Sequence, residues 1–234
     1  MAPSDLHAWD VSPEEAVRIQ SELRRQLKLV WDGRVVHTVA GVDVSIASER
    51  AHCAVVVLRF PELIPLESAL GEAPLVFPYI PGLLAFREGP AVLAAWQSLR
   101  ILPDVILFDG QGIAHPRGVG IASQMGLWLE RPTIGVAKSR LYGRHGPVPP
   151  EPGGYAELFD EQASDRPIGV ALRTRRGANP LYVSPGHMID LGHAVSLTLA
   201  CCAGYRLPEP IRWAHRVAGG EKLPAQNVRQ DRLF

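Results

Sequence analysis

Three carboxylates in this chain stand where acids do chemistry. Asp109 closes the apolar run Val105-Ile106-Leu107-Phe108 just as the backbone turns through Gly110-Gln111-Gly112. Asp43 follows a similar pattern in Val39-Ala40-Gly41-Val42-Asp43-Val44-Ser45, and Glu88 comes after Leu83-Leu84-Ala85-Phe86-Arg87, ahead of an expected helix. Ligands of open α/β sheets sit in the crevice beyond the strand ends, which places Asp109 for chemistry. Converging carboxylates suit Mg²⁺, and Mg²⁺ serves phosphodiester hydrolysis at both the attacking and the leaving oxygen. Each acid also has a plainer reading: Asp43 as the partner of a base, Glu88 as a helix-start charge, Asp109 as a turn residue.

Lys138 ends the strand-like run Ile134-Gly135-Val136-Ala137 and is a cation for a scissile phosphate, or simply a solvated lysine. His115 and His215 are potential proton donors or supports for other groups, although a lone histidine is more often structural. The glycines beside Asp109 let a backbone approach a ligand closely. A nucleotide-binding loop is the rival, but the spacing is neither a dinucleotide fingerprint nor a P-loop. Phe77-Pro78-Tyr79-Ile80-Pro81-Gly82 holds an aromatic and a branched residue between two prolines. Such a loop is either a rigid wedge that fills the space of a displaced base or a turn covering the core.

The elements that must carry these residues follow from periodicity and breakers. Ser12-Pro13-Glu14-Glu15 opens a helix as a capping box, continued at helical spacing by Ala16, Ile19, Leu23, Leu27 and Val30. Three strands, 35–45, 52–59 and about 64–70, form an antiparallel meander. Pro90 fits a helix start, with helix over 91–99. Then come strand 104–108, helix 118–129, strands 133–137, 168–172 and 181–184, and helix 190–203. Residues 143–165, rich in Gly and Pro, read as an irregular loop. The expected fold class is α/β: a mixed sheet, meander first and parallel βα units afterwards, flanked by helices.

With 234 residues, 47% of them apolar and 21% charged, the chain suits one soluble globular domain over 1–217 with a flexible tail over 218–234. Twenty-four basic and 24 acidic residues cancel, so nucleic-acid binding must rest on local patches rather than on global charge. Arg131, Lys138, Arg140 and Arg144 form one such patch; Arg173, Arg175 and Arg176 read as a solvated loop. No apolar run is long enough for a membrane span, and no secretory leader opens the chain, which points to the cytoplasm. Cys53, Cys201 and Cys202 lack metal or redox spacing and read as buried thiols.

In order, Gly41-Val42-Asp43-Val44-Ser45, Pro78-Tyr79-Ile80-Pro81-Gly82-Leu83-Leu84-Ala85-Phe86-Arg87-Glu88, Asp109-Gly110-Gln111-Gly112 with His115-Pro116-Arg117, Gly135-Val136-Ala137-Lys138-Ser139, Pro185-Gly186-His187 and Arg206-Leu207-Pro208-Glu209-Pro210 with Arg212 resemble endonuclease V. The resemblance runs from about Trp9 to Val217. It implies a ribonuclease H-like fold and a Mg²⁺-dependent endonuclease, with Mn²⁺ able to substitute, that recognises deoxyinosine in DNA and nicks the second phosphodiester on its 3′ side. By the same resemblance Asp43 and Asp109 are metal ligands and Glu88 is the third acid. Lys138 meets the reacting phosphate, and His215 falls where the family has an Asp or His. Pro78, Tyr79, Ile80 and Pro81 form the wedge, and Gly82, Leu84, Gly110, Gly112, His115, Gly135 and Leu141 line the lesion pocket.

Two positions depart from the family pattern. Gly118 stands where a second basic residue is common after His-Pro-Arg, and Gln124 replaces a frequent histidine. Both could alter DNA grip, metal preference or lesion choice without removing an acid. Gln230-Asp231-Arg232-Leu233-Phe234 resembles the bacterial sliding-clamp-binding peptide, which implies clamp contact through Gln230, Leu233 and Phe234; the alternative is that the apolar pair folds back. The expected enzyme is a monomer acting on damaged DNA. The rivals are a related nuclease preferring inosine-containing RNA or branched DNA, and a non-cleaving lesion-binding module.

Overall fold

The structure is a computed structural model that describes residues 6–162 and 166–224. The expected clamp residues Gln230, Leu233 and Phe234 therefore lie outside the described residues. Eight strands form one sheet in the order β3-β2-β1-β4-β5-β8-β7-β6. The Val-rich runs β1 (Thr38–Ala47), β2 (Arg50–Arg59) and β3 (Ile64–Pro74) make the expected antiparallel meander. The β1–β2 turn puts Ser48 and Glu49 at φ of 50° and 57°, as a type I′ hairpin requires.

Helix α2 (Leu84–Gln97) returns the chain to β4 (Val105–Phe108) beside β1, and α3 (Ile121–Leu129) leads to β5 (Thr133–Ala137) beside β4; both pairings are parallel. The rest of the sheet is antiparallel: β8 (Leu181–His187) on β5, then β7 (Pro167–Leu172) and β6 (Tyr155–Phe159). Helices cover both faces. Val39, Leu107 and Val183 face α4 (Leu191–Ala200) and α5 (Glu209–Ala218), while Ala40, Val55 and Phe108 face α2 and α3. α1 (Pro13–Leu23) packs Ala16, Ile19 and Leu23 against Phe77, Phe86 and Leu127.

Four local readings change. α1 stops at Leu23, followed by a 3-10 turn, and Val30 is exposed because the chain is already extended there. α2 begins six residues before Pro90, which lies inside it; burial of Ala85, Phe86, Ala91 and Ala95 outweighs the proline's missing donor, and Glu88 is within the helix rather than ahead of it. The expected loop 143–165 contains the edge strand β6. The sequence reading gave no helix at 209–218, where α5 carries His215. No helix among the described residues is long and apolar enough to cross a membrane.

Candidate active site

The parallel pairing of β1 with β4 decides where the acids meet. Val42 lies opposite Phe108, and the Asp109 N–H donates to the Val42 carbonyl at 3.2 Å, so Asp43 and Asp109 leave neighbouring strands at the same level. α2 brings Glu88 to this level, β5 delivers Lys138, and α5 brings His215. All five line one cavity of about 340 Å³. Lys138 Nζ stands 2.5 Å from Asp109 Oδ2, and His215 Nδ1 stands 3.0 Å from Asp43 Oδ2. Arg206 donates to the Lys138 carbonyl at 2.7 Å, a tether that the sequence reading did not assign.

Burial, and then the charge of Asp109, raise the Asp43 carboxyl, against the His215 contact that lowers it. For Glu88, burial and then the charges of Asp43 and Asp109 outweigh the opposing charge of Arg87 and push it up to about 8. A carboxyl whose folded pKa exceeds its unfolded value stabilises the fold at low pH, and that contribution is lost as pH rises through the folded pKa. The metal-free protein should therefore weaken as pH rises from about 4.5 to about 8. Glu88→Gln in EDTA is expected to melt above wild type at pH 8, with the gap shrinking towards pH 5. A gap independent of pH would contradict this account of Glu88.

A second cavity, of about 370 Å³, shares Leu84, Asp109, Ile121 and Lys138 with the first. Tyr79, Ile80, Pro81, Gly82, Leu84, Gly110, His115 and Leu141 are in its wall. Tyr79 is 69% exposed at the rim, while Phe77 is buried against Phe86 and anchors the loop. Gly82, at φ 82°, turns the chain, and its carbonyl accepts hydrogen bonds from Gln20 Nε2 (3.0 Å), His115 Nε2 (2.8 Å) and Arg117 Nη2 (2.8 Å). His115 Nδ1 accepts from the Arg117 backbone at 3.1 Å. Burial, with Arg117 adjacent, pushes His115 down to about 4, so near neutral pH it is an uncharged strut.

Gly112 and Gly135 are not in that wall. A Cβ on Gly112 would lie 2.1 Å from the Pro185 carbonyl oxygen, and one on Gly135 would lie 2.1 Å from the Gly112 nitrogen. These glycines let the Asp109–Gly112 loop lie directly on β5 and β8. At Gly118 (φ 67°), a Cβ would meet Arg24 Nε at 2.5 Å, so a guanidinium from the turn after α1 covers the position lacking its basic side chain. Beside Gln124, His7 Nε2 lies 3.0 Å from the Gln124 amide nitrogen and accepts from Trp128 Nε1 at 3.0 Å. An imidazole from a distant segment thus occupies the neighbourhood of the replaced histidine. Gln20 and Gln111, both buried in the cavity wall, were given no role from sequence. The second basic cluster is partly engaged structurally: Arg176 pairs with Glu151, and Arg173 donates to the Pro149 and Ala178 carbonyls.

The described cysteines are all free, with Cys53 and Cys201 buried and Cys202 half-buried. As the side chains stand, no three His, Cys, Asp or Glu groups among the described residues are arranged to hold a metal ion. The oxygen donors nevertheless suit a hard cation, and such a cation would offset the Asp43 and Asp109 charges that, after burial, raise the Glu88 carboxyl. His215 and Lys138 engage only Oδ2 of Asp43 and of Asp109, which leaves Oδ1 of each carboxylate as a potential ligand.

Comparison with known proteins gives a consistent result. The family model described as endonuclease V matches residues 19–216. Endonuclease V of Methanothrix thermoacetophila is 50% identical over 210 residues, covering 90% of this chain and 92% of its own. The crystal structure of endonuclease V from Streptomyces avermitilis superposes with a TM-score of 0.84 at 40% identity, covering 91% of this chain and 94% of its own. That of Ciona intestinalis, in complex with a 24mer DNA containing an inosine followed by a ribo-adenosine, gives 0.73 at 28% identity, with 88% and 96% covered. The fold is ribonuclease H-like, and the chain belongs to the endonuclease V family of nucleases.

Proposed function

We propose that this protein is a Mg²⁺-dependent repair endonuclease that takes deoxyinosine into the cavity behind Tyr79 and nicks the same strand at the second phosphodiester on its 3′ side. The observation that carries this reading is the shared wall: a base held between Leu84 and Ile121 leaves its own strand beside Asp109 and Lys138. The Ciona complex contains inosine in DNA, which supports the same class of substrate here.

In this reading Tyr79, with Pro78, Ile80 and Pro81, fills the space left in the duplex, while the wall of Gly82, Leu84, Gly110, His115 and Leu141 encloses the base. Guanine carries an exocyclic amine that hypoxanthine lacks, and a close wall rejects it on shape and desolvation. Asp43 and Asp109 would hold the cation, with Glu88 as the third acid. When bound, a divalent cation supplies Lewis-acid stabilisation of charge developing on the phosphoryl and leaving oxygens. Lys138 turns its ammonium from Asp109 to the reacting phosphate. His215 orients Asp43 through Nδ1 and can exchange a proton at its exposed ring.

The test is an end-labelled duplex with one deoxyinosine, incubated with Mg²⁺ or EDTA and with wild type or Asp43→Ala. A Mg²⁺-dependent nick one nucleotide beyond the lesion, lost in the variant, is expected. Tight lesion binding without a nick would favour a recognition module. Because the inosine in the Ciona complex is followed by a ribonucleotide, an inosine-containing RNA belongs in the same panel, and faster cleavage of it would reassign the substrate.

A further inference from the structure

Three buried, neutral polar side chains stand in the wall of the base cavity: Gln20, Gln111 and His115. Two of them are fully engaged. Gln20 donates from Nε2 to the Gly82 and Val119 carbonyls and accepts from Arg117 Nε at Oε1. Both ring nitrogens of His115 are used, at Gly82 and at Arg117.

Gln111 is different. Its side chain, in a residue only 8% exposed, donates from Nε2 to the Ser139 carbonyl at 3.0 Å. Only the amide nitrogen can donate to a carbonyl, so this bond fixes which way the group points. Oε1 is left buried with no hydrogen-bond partner. Native proteins rarely leave a buried acceptor unpaired, and because Gln111 lines the base cavity, a molecule bound there can supply the missing donor.

We propose that Gln111 is a specificity-determining residue whose Oε1 accepts the ring N–H that deamination creates on a base. The inference rests on the proposed function and deepens it. Adenine carries a lone pair at N1, whereas hypoxanthine carries N1–H; cytosine carries a lone pair at N3, whereas uracil carries N3–H. A wall acceptor pairs with the deaminated form and sets lone pair against lone pair with the intact one, which is an element of rejection as well as attraction. The contact therefore separates hypoxanthine from adenine and uracil from cytosine, while guanine, which also carries N1–H, is left for the close wall to reject.

The test compares nicking of duplexes carrying deoxyinosine or deoxynebularine, the unsubstituted purine with a lone pair at N1, by wild type, Gln111→Met and Gln111→Glu. Methionine removes the acceptor and the Ser139 tether, whereas glutamate keeps an acceptor and loses the amide donor. The preference for deoxyinosine is expected to fall about tenfold or more in Gln111→Met, through the deoxyinosine rate, and to persist in Gln111→Glu. Gln111→Ala gives the same comparison if methionine overfills the wall. Equal losses on both substrates, alike in Met and Glu, would assign Gln111 to tethering Ser139 and overturn the proposal. Failure of wild type to nick deoxyinosine would instead remove the proposed function, and this inference with it.

Discussion

Asp109→Ala is expected to lower the Mg²⁺-dependent nicking rate by about 10³-fold while leaving affinity for deoxyinosine duplex in EDTA within a few-fold of wild type. The loss corresponds to about 4 kcal/mol of transition-state stabilisation, in the range that a carboxylate-held cation supplies. In the proposed reading binding survives because base capture draws on the Tyr79 loop and on wall residues other than Asp109. The variant also relieves repulsion: Asp109 contributes to the elevation of both Asp43 and Glu88. Single-turnover cleavage with a parallel binding isotherm separates the effects. Retained cleavage would remove Asp109 from the chemistry, and lost binding would mean that Asp109 builds the cavity instead.

The second large effect concerns the backbone behind the site. A Cβ on Gly41 would lie 2.0 Å from the Pro210 carbonyl oxygen and 2.6 Å from the Ile211 nitrogen. Both are main-chain atoms at the start of α5, so no rotamer relieves the contact and the helix itself must shift. Overpacking costs about 1–3 kcal/mol and occasionally more, and in a domain of this size each kcal/mol moves Tm by about 2–4 °C. Gly41→Ala should lower Tm by about 6–12 °C, taking the upper end of that cost. Gly146→Ala, where a Cβ meets nothing within 4 Å, should melt close to wild type. Because α5 carries His215, the Gly41 variant should also loosen the 3.0 Å contact with Asp43 and nick more slowly. An unchanged Tm would show that α5 yields freely.

The sequence shows most of the sheet plainly because β1, β2, β4 and β5 are long or fully apolar runs bounded by turn residues. What it hides has local causes. β6 is an edge strand, with Tyr155 and Glu157 exposed and neighbours rich in Gly and Pro, so it lacks an apolar signature. Pro90 imitates a helix start because nothing local shows that Leu84, without a side-chain cap, has already begun α2. α5 could have been found from Pro210 near its start and from Ile211, Ala214 and Val217 at helical spacing. At the site, the acids are legible as residues at strand ends and beside apolar runs. The pairing of His215 with Asp43 spans 172 positions and emerges only when α5 docks on β1. Likewise Arg24 over Gly118 and His7 beside Gln124 are compensations in space, invisible to a reading of neighbours along the chain.

The Gly82 carbonyl, held by donors from α1 and from the His115–Arg117 segment, makes the base of the Tyr79 loop stiff. A blade that does not bend transfers all compliance to what it meets. With the Tyr79 loop as the proposed wedge, capture speed is expected to follow the softness of the duplex rather than any opening of the protein. An inosine in a weak pair or beside a flexible step would be drawn in faster than the same base in a firm stack. On that reading much of the search is delegated to the mechanics of the nucleic acid, and bases that have already begun to leave the helix are expected to reach the cavity first.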